Sequence, residues 1–286
     1  MARLQTRGLF FETETFGNSS NPAMLMIRGL GSQIIDWPKT LIDGFVASGL
    51  FVVMFDNRDA GLSQKMAAPE DQGYDMSDMA QDCVDILDAL EIESAHVLGI
   101  SMGGLIAQIL LAQSSDRLLT ATIVMSSIGD ASLQECLGRG IPLDPPKQTD
   151  DIEAKLAEAL EADAFYEGPA FPIPHAQRAE NVRRRYARSY SPDGQRRQLS
   201  AMKRSRLGAD ALADIQIPTL VIHGDHDVIF PVVQGEKIAL AMPNATFLRI
   251  PGMGHELSDT LGTLIADHVV KHVRDKTAKR AHDVLQ

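Results

Sequence analysis

The chain has 286 residues, 44% hydrophobic and 23% charged, enough for about 70% of its surface to be buried on folding, which excludes intrinsic disorder and any need for disulfides or a structural metal. A net charge of −11 argues against a general nucleic-acid or anionic-membrane binder. Cys83 and Cys136 are the only cysteines, the first residues lack a signal-peptide core, and no run approaches the ~18 apolar residues of a membrane span, so a soluble protein of the reducing cytoplasm is expected.

In chain order, Leu9–Phe16 reads as an antiparallel edge-hairpin element. Short, continuous apolar runs follow at Ala23–Ile27, Leu50–Phe55, Ala95–Ile100 and Ala121–Met125. Runs that do not alternate are buried on both faces, as in a parallel sheet covered by helices. Between them, Met76, Met79, Ala80, Cys83, Ile86, Leu87 and Leu90 fall at helical spacing among aspartates. Strand and helix in alternation predict right-handed βαβ crossovers.

The rhythm breaks at about residue 130. Pro142, Pro145, Pro146, Pro169, Pro172 and Pro174 punctuate a stretch without a buried strand, in which helices are expected at Asp151–Ala164, Ala176–Ser189 and Gly194–Arg206. The strand pattern resumes at Pro218–His223 and Ala245–Ile250, and an amphipathic helix is expected at about Leu257–Val273. The division predicted is an α/β core over 1–129, a helical cap insertion over 130–212, and the rest of the core over 213–286.

The strongest local signal is Gly99-Ile-Ser101-Met-Gly103-Gly104, with a strand before it and the helical run Leu105–Ala112 after it. In that context GxSxG is a nucleophile elbow: the serine projects from a strained strand-to-helix turn that side chains at 99 and 103 would crowd. The Met102 N–H at the helix start can face a developing oxyanion. A serine hydroxyl needs a base oriented by an acid. His255, in Pro251-Gly-Met-Gly-His255, and the acidic turn Gly224-Asp225-His226-Asp227 both follow predicted strands. Both therefore belong to the carboxyl edge of the sheet, where such sites gather, and the chain order Ser…Asp…His fits the motif.

These features resemble the α/β-hydrolase fold over nearly the whole chain. The family's HGxxDxxxP loop corresponds to His223-Gly224-Asp225-His226-Asp227-Val-Ile-Phe-Pro231. The resemblance therefore implies Asp227 as the acid, with Asp225 and Asp130 as alternatives. It implies Leu30 as the second backbone oxyanion donor, from the turn Arg28-Gly29-Leu30-Gly31. Arginine stands at 28 where the family usually has histidine, either as a structural hydrogen-bonding group or as a ligand for an acidic substrate group. Gly29–Pro38 and Asp56–Ser63 resemble the small carboxylesterases that include the aclacinomycin methylesterases, with Asp59 where many members carry glycine. The activity implied is hydrolysis of a carboxylic ester, such as a methyl or small alkyl ester of an apolar acid. Lactone or carbon–carbon hydrolysis, acyl transfer and perhydrolysis use the same residues, and a non-catalytic receptor is a further alternative.

His223, Asp225, His226 and Asp227 are too close in one turn to be expected to converge on a metal. His268 and His272, four apart, are read as a solvated helix face. No phosphate-binding glycine loop is present, so no cofactor is expected. The expected partner is a small-molecule ester, with no nucleic acid and no membrane; a homo-oligomer is compatible with the sequence. Met102, Met125, Met253 and Phe230 are read as pocket lining or core. From Arg178 to Arg206, ten Lys/Arg face only Glu180 and Asp193, a local net of +8 that leaves −19 for the rest. This run is read as a solvated face offsetting the acidic core, or as a surface attracting carboxylate-bearing substrates.

Overall fold

The computed structural model describes residues 2–67, 69, 73–138, 143 and 152–284. Pro142, Pro145, Pro146 and Asp151 lie outside the described residues.

The first half alternates as its apolar runs predict. Strands β1 (Ala2–Gln5), β2 (Phe10–Phe16) and β3 (Ala23–Ile27) lead to helix α1 (Lys39–Ala47), followed by β4 (Phe51–Phe55) and α2 (Met76–Ala89). Then come β5 (Ala95–Ile100), α3 (Met102–Gln113) and β6 (Leu118–Val124). Between β6 and the next strand the described chain is helical: α4 (Ala131–Leu137), α5 (Ile152–Phe165), α6 (His175–Arg188) and α7 (Pro192–Arg204). The chain then returns through β7 (Thr219–Gly224), α8 (Val233–Leu240), β8 (Ala245–Ile250) and α9 (Asp259–Val284).

All eight strands join one sheet in the order β1-β2-β4-β3-β5-β6-β7-β8. Only β2 pairs antiparallel, with β1 and β4; the remaining pairs are parallel. Residues 10–16 are thus an interior strand, and the edge belongs to β1. Its sequence Ala-Arg-Leu-Gln is mostly exposed, so it carries no hydrophobic pattern from which to read it. Helices α1, α4 and α8 likewise add to the expected elements, and α9 runs well beyond Val273.

Alternate side chains of the central strands β3, β4 and β5 enter opposite cores. Leu25, Ile27, Val53 and Phe55 pack with α2 and α3 on one face. Met24, Met26, Val52 and Met54 pack with α1 and α9 on the other, which explains why the strand sequences show no polar face. Helix α2 begins where Asp75 accepts hydrogen bonds from the Ser77 and Asp78 N–H groups while Asp78 bonds back to the Asp75 N–H, a capping box with aspartate in both places. Helix α3 is buried on nearly every side, so the residue at its start is held rigidly. Among the described residues no helix is long and apolar enough to cross a membrane.

Candidate active site

Parallel pairing brings the carboxyl ends of β3 to β8 to one edge of the sheet, and the chain leaves that edge at Arg28, Asp56, Ser101, Met125, Asp225 and Pro251. Ser101 sits between β5 and α3 with φ 54° and ψ −120°, a region costly for a residue with a side chain. Neighbouring groups hold it there: its N–H donates to the Val124 carbonyl at 3.0 Å, and its carbonyl accepts the Ser126 hydroxyl at 2.8 Å. The turn tolerates nothing larger than glycine beside it. A Cβ on Gly99 would lie 2.2 Å from the Gly103 carbonyl oxygen, and one on Gly103 would lie 2.1 Å from that of Ile27.

His255, on the loop between β8 and α9, places Nε2 2.9 Å from Ser101 Oγ and Nδ1 2.7 Å from Asp227 Oδ2. Asp225 turns instead to the Gly252 N–H and His226, and of the three carboxylates considered, Asp227 is the one bonded to His255. Its other oxygen accepts the Ile229 and Phe230 N–H groups, both at 2.9 Å. Burial pushes the Asp227 carboxyl up, but the His255 charge and hydrogen bonds from His223 and His255 outweigh it and hold the group well below the usual carboxylate range. His223 is fully buried; its Nε2 donates to the Phe230 carbonyl at 2.7 Å and lies 3.3 Å from Asp227. Phe230 meets the His255 ring edge-on at 5.6 Å between centroids. The His255 backbone N–H donates to the Tyr166 carbonyl at 2.7 Å, tying the histidine to the helical segment between β6 and β7.

The turn after β3 closes against the serine: a Cβ on Gly29 would stand 3.2 Å from Ser101 Cβ. Among the described residues, the N–H groups of Leu30 and Met102 donate to no protein acceptor. Gln198 of α7, fully buried, accepts the Gly31 N–H at 2.8 Å and donates to the Arg58 carbonyl at 2.7 Å, fixing this turn from the inserted segment. Sequence reasoning misses Gln198, because a single glutamine on a helix carries no motif.

A cavity of about 760 Å³ opens over Ser101 and His255, lined by both core and inserted helices, including Trp37, Tyr166, Tyr186 and Tyr190. Met125 joins this lining, whereas Met102, Met253 and Phe230 belong to the packed interior. Among the described residues no three His, Cys, Asp or Glu side chains are grouped to hold a metal ion. His272 is buried rather than solvated, with Nε2 3.3 Å from the Pro218 carbonyl.

The basic run differs from both of its sequence readings. Arg183, Arg184, Lys203 and Arg206 are exposed, Arg196 pairs with Asp193 of its own helix and Arg204 donates to the Tyr74 carbonyl, but four other members reach down to core carboxylates. Arg178 pairs with Glu256 at 2.7 Å, Arg185 with Asp36 at 3.1 Å, Arg188 with Asp56 at 2.7 Å, and Arg197 with Asp59 at 2.7 Å. Arg178 also holds Glu167 at 2.5 Å. Spacing within a helix cannot show this, since Glu256, Asp36, Asp56 and Asp59 all come from the core.

Residues 22–260 match the family described as the alpha/beta hydrolase fold. The chain is 27% identical to the rhodomycin D methylesterase DnrP of Streptomyces peucetius, over 93% of this chain and 95% of that one. In fold it is similar to the meta-cleavage product hydrolase CumD of Pseudomonas fluorescens IP01, with a TM-score of 0.79 at 17% identity, covering 96% of this chain and 98% of that one. It is also similar to the esterase RhEst1 of Rhodococcus sp. ECU1013, with a TM-score of 0.76 at 20% identity, covering 95% of this chain and 97% of that one.

Proposed function

The chain belongs to the α/β-hydrolase fold family, and from that premise we propose that it hydrolyses carboxylic esters through an acyl-enzyme on Ser101. The observation that carries the reading is the hydrogen-bonded chain Ser101–His255–Asp227, at 2.9 and 2.7 Å, with the serine held at positive φ. His255 Nε2 takes the hydroxyl proton as Ser101 Oγ attacks the ester carbonyl, while Asp227 keeps Nδ1 protonated and stabilises the imidazolium. The Leu30 and Met102 N–H groups receive the oxyanion. The imidazolium returns its proton to the departing alkoxide, and His255 then deprotonates a water that attacks the acyl-enzyme. Helices α4–α7 act as a cap over the cavity, separating this chemistry from bulk water. Similarity to a methylesterase supports a small alkyl leaving group, so that most of the cavity receives the acid.

The test is hydrolysis of p-nitrophenyl and methyl esters by wild type and Ser101→Ala, with a fluorophosphonate label to locate the nucleophile. Turnover should fall by at least about 10⁴-fold in the variant, and label should attach at residue 101 in the wild type. A folded variant with full turnover, or label elsewhere, overturns the assignment.

A further inference from the structure

Arg28 leaves the end of β3 and lines the same cavity as Ser101. Its guanidinium lies over the Trp37 ring, 4.7 Å from the centroid, and its Nε and Nη1 are buried with no hydrogen-bond partner among the described residues. Burial pulls its pKa down to about 10, so it remains a cation at neutral pH. Two carboxylates, Asp36 and Glu256, are close enough for their charge to be felt there, as is the cation Arg185. Both carboxylates are engaged elsewhere. Asp36 accepts from Arg185 and from the Gln33 N–H at 2.7 Å, and Glu256 accepts from Arg178. Arg185 and Arg178 reach in addition to Asp163 and Glu167. Of these three arginines, Arg28 is the one without a hydrogen-bonded carboxylate among the described residues. Buried guanidinium nitrogens without an acceptor are costly, and among the described residues Nε and Nη1 take up no structural hydrogen bond.

The geometry points to Arg28 as the receptor for a carboxylate on the substrate, which makes the preferred substrates half-esters, monoalkyl esters of dicarboxylic acids. This rests on ester hydrolysis at Ser101. If the departing alcohol is a small alkyl group, it has no room for a charge, so the carboxylate belongs to the acyl part. Arg28 stands two residues before Leu30 in the same turn, so charge recognition and the oxyanion donor share one rigid piece of backbone.

The experiment compares kcat/KM for monomethyl and dimethyl succinate, glutarate and adipate. In wild type at least one half-ester should exceed its diester by about ten- to a hundredfold, the worth of one charge-assisted hydrogen bond, with the difference carried by KM. Arg28→Met should bring that ratio close to one, and Arg28→Lys should keep part of it. In parallel, calorimetric titration of Ser101→Ala with the same compounds reads binding without turnover and should show the same preference, lost in Ser101→Ala/Arg28→Met. Diesters matching or exceeding half-esters throughout the wild-type series and in the titration would overturn the proposal, whether or not the Arg28 variants fold. Turnover without charge preference would leave the esterase standing and sink the carboxylate receptor; selective binding without turnover of any ester would do the reverse.

Discussion

Strand β5 and helix α6 both bury a surface, but different forces hold them. Every residue of β5 is buried, and apart from His96 its side chains are apolar. Helix α6 buries only Arg178, Ala179 and Val182, too little apolar area to dock fourteen residues on the core. Its attachment is made instead by arginines bonded to carboxylates that rise from the sheet edge. Apolar contacts tolerate a shift in register or angle, whereas a guanidinium bonded to a buried carboxylate does not. Such pairs add little net stability over an apolar contact, yet they are expensive to break by halves. The sheet thus supplies stability, while the arginines set where the inserted helices sit over Ser101.

The sharpest way to break that contrast is Arg188→Met. Asp56 is fully buried and accepts from the Ile34 N–H at 2.7 Å, the Leu62 N–H at 2.8 Å and Arg188 at 2.7 Å. Removing the cation strands a buried charge, and urea unfolding should show a loss of about 3–5 kcal/mol. Trimming one methylene from the sheet, as in Ile123→Val, should cost only about 1 kcal/mol. Equal losses in the two variants would dissolve the distinction.

The same two regions should respond to pH with opposite sign. At the junction with the inserted helices, burial pushes the Glu256 carboxyl up to about 7, the Arg178 pairing notwithstanding. Its folded pKa exceeds its unfolded one, so its contribution is full below about pH 4.5 and is lost as pH rises through 7. In the sheet, burial pulls His96 down to about 4, with the nearby His272 adding to the effect; its Nδ1 lies 2.9 Å from the Thr120 hydroxyl. Here the contribution is full above about pH 6.5 and declines as pH falls toward 4. Each amounts to about 3 kcal/mol over its window. Urea unfolding from pH 4 to 8 should therefore show Glu256→Gln gaining on wild type as pH rises and His96→Asn gaining as pH falls. Parallel curves in both variants would refute the assignment.

How far each region can be read from sequence follows from the same physics. The strands at 23–27 and 95–100 match their apolar runs, because burial on both faces writes a nearly continuous hydrophobic signal. Ser101 and His255 can be picked out because a strained turn and a loop at a strand end leave glycines in the chain, whereas the choice of Asp227 over Asp225 and Asp130 comes from the resemblance to the family's loop. The arginine contacts leave no such trace. Asp36, Asp56 and Asp59 lie more than a hundred residues from Arg185, Arg188 and Arg197, and nothing local distinguishes a buried arginine of α6 from an exposed one beside it. Strand β1 fails for the opposite reason, having almost no buried side chain to announce it.

The smallest effect tests whether the docking depends on the shape of the guanidinium or only on its charge. Asp59 adopts φ 69°, a left-handed conformation that glycine would take more cheaply. Its side chain is fully buried and grips Arg197 with both oxygens, at 2.9 and 2.7 Å, while accepting the Met66 N–H at 2.8 Å. Lysine at 197 preserves the charge but cannot form the two-pronged contact, so Arg197→Lys should lose about 1–2 kcal/mol in urea unfolding. Asp59→Gly would relieve the backbone yet leave Arg197, only 11% exposed at its side chain, without its carboxylate, and should also destabilise. Combining Asp59→Gly with Arg197→Met should cost less than the two single changes summed, since neither partner is then stranded. Strict additivity would mean that the pair is incidental and that the close approach of Gly194 to the Asp59 carbonyl is enough to seat α7.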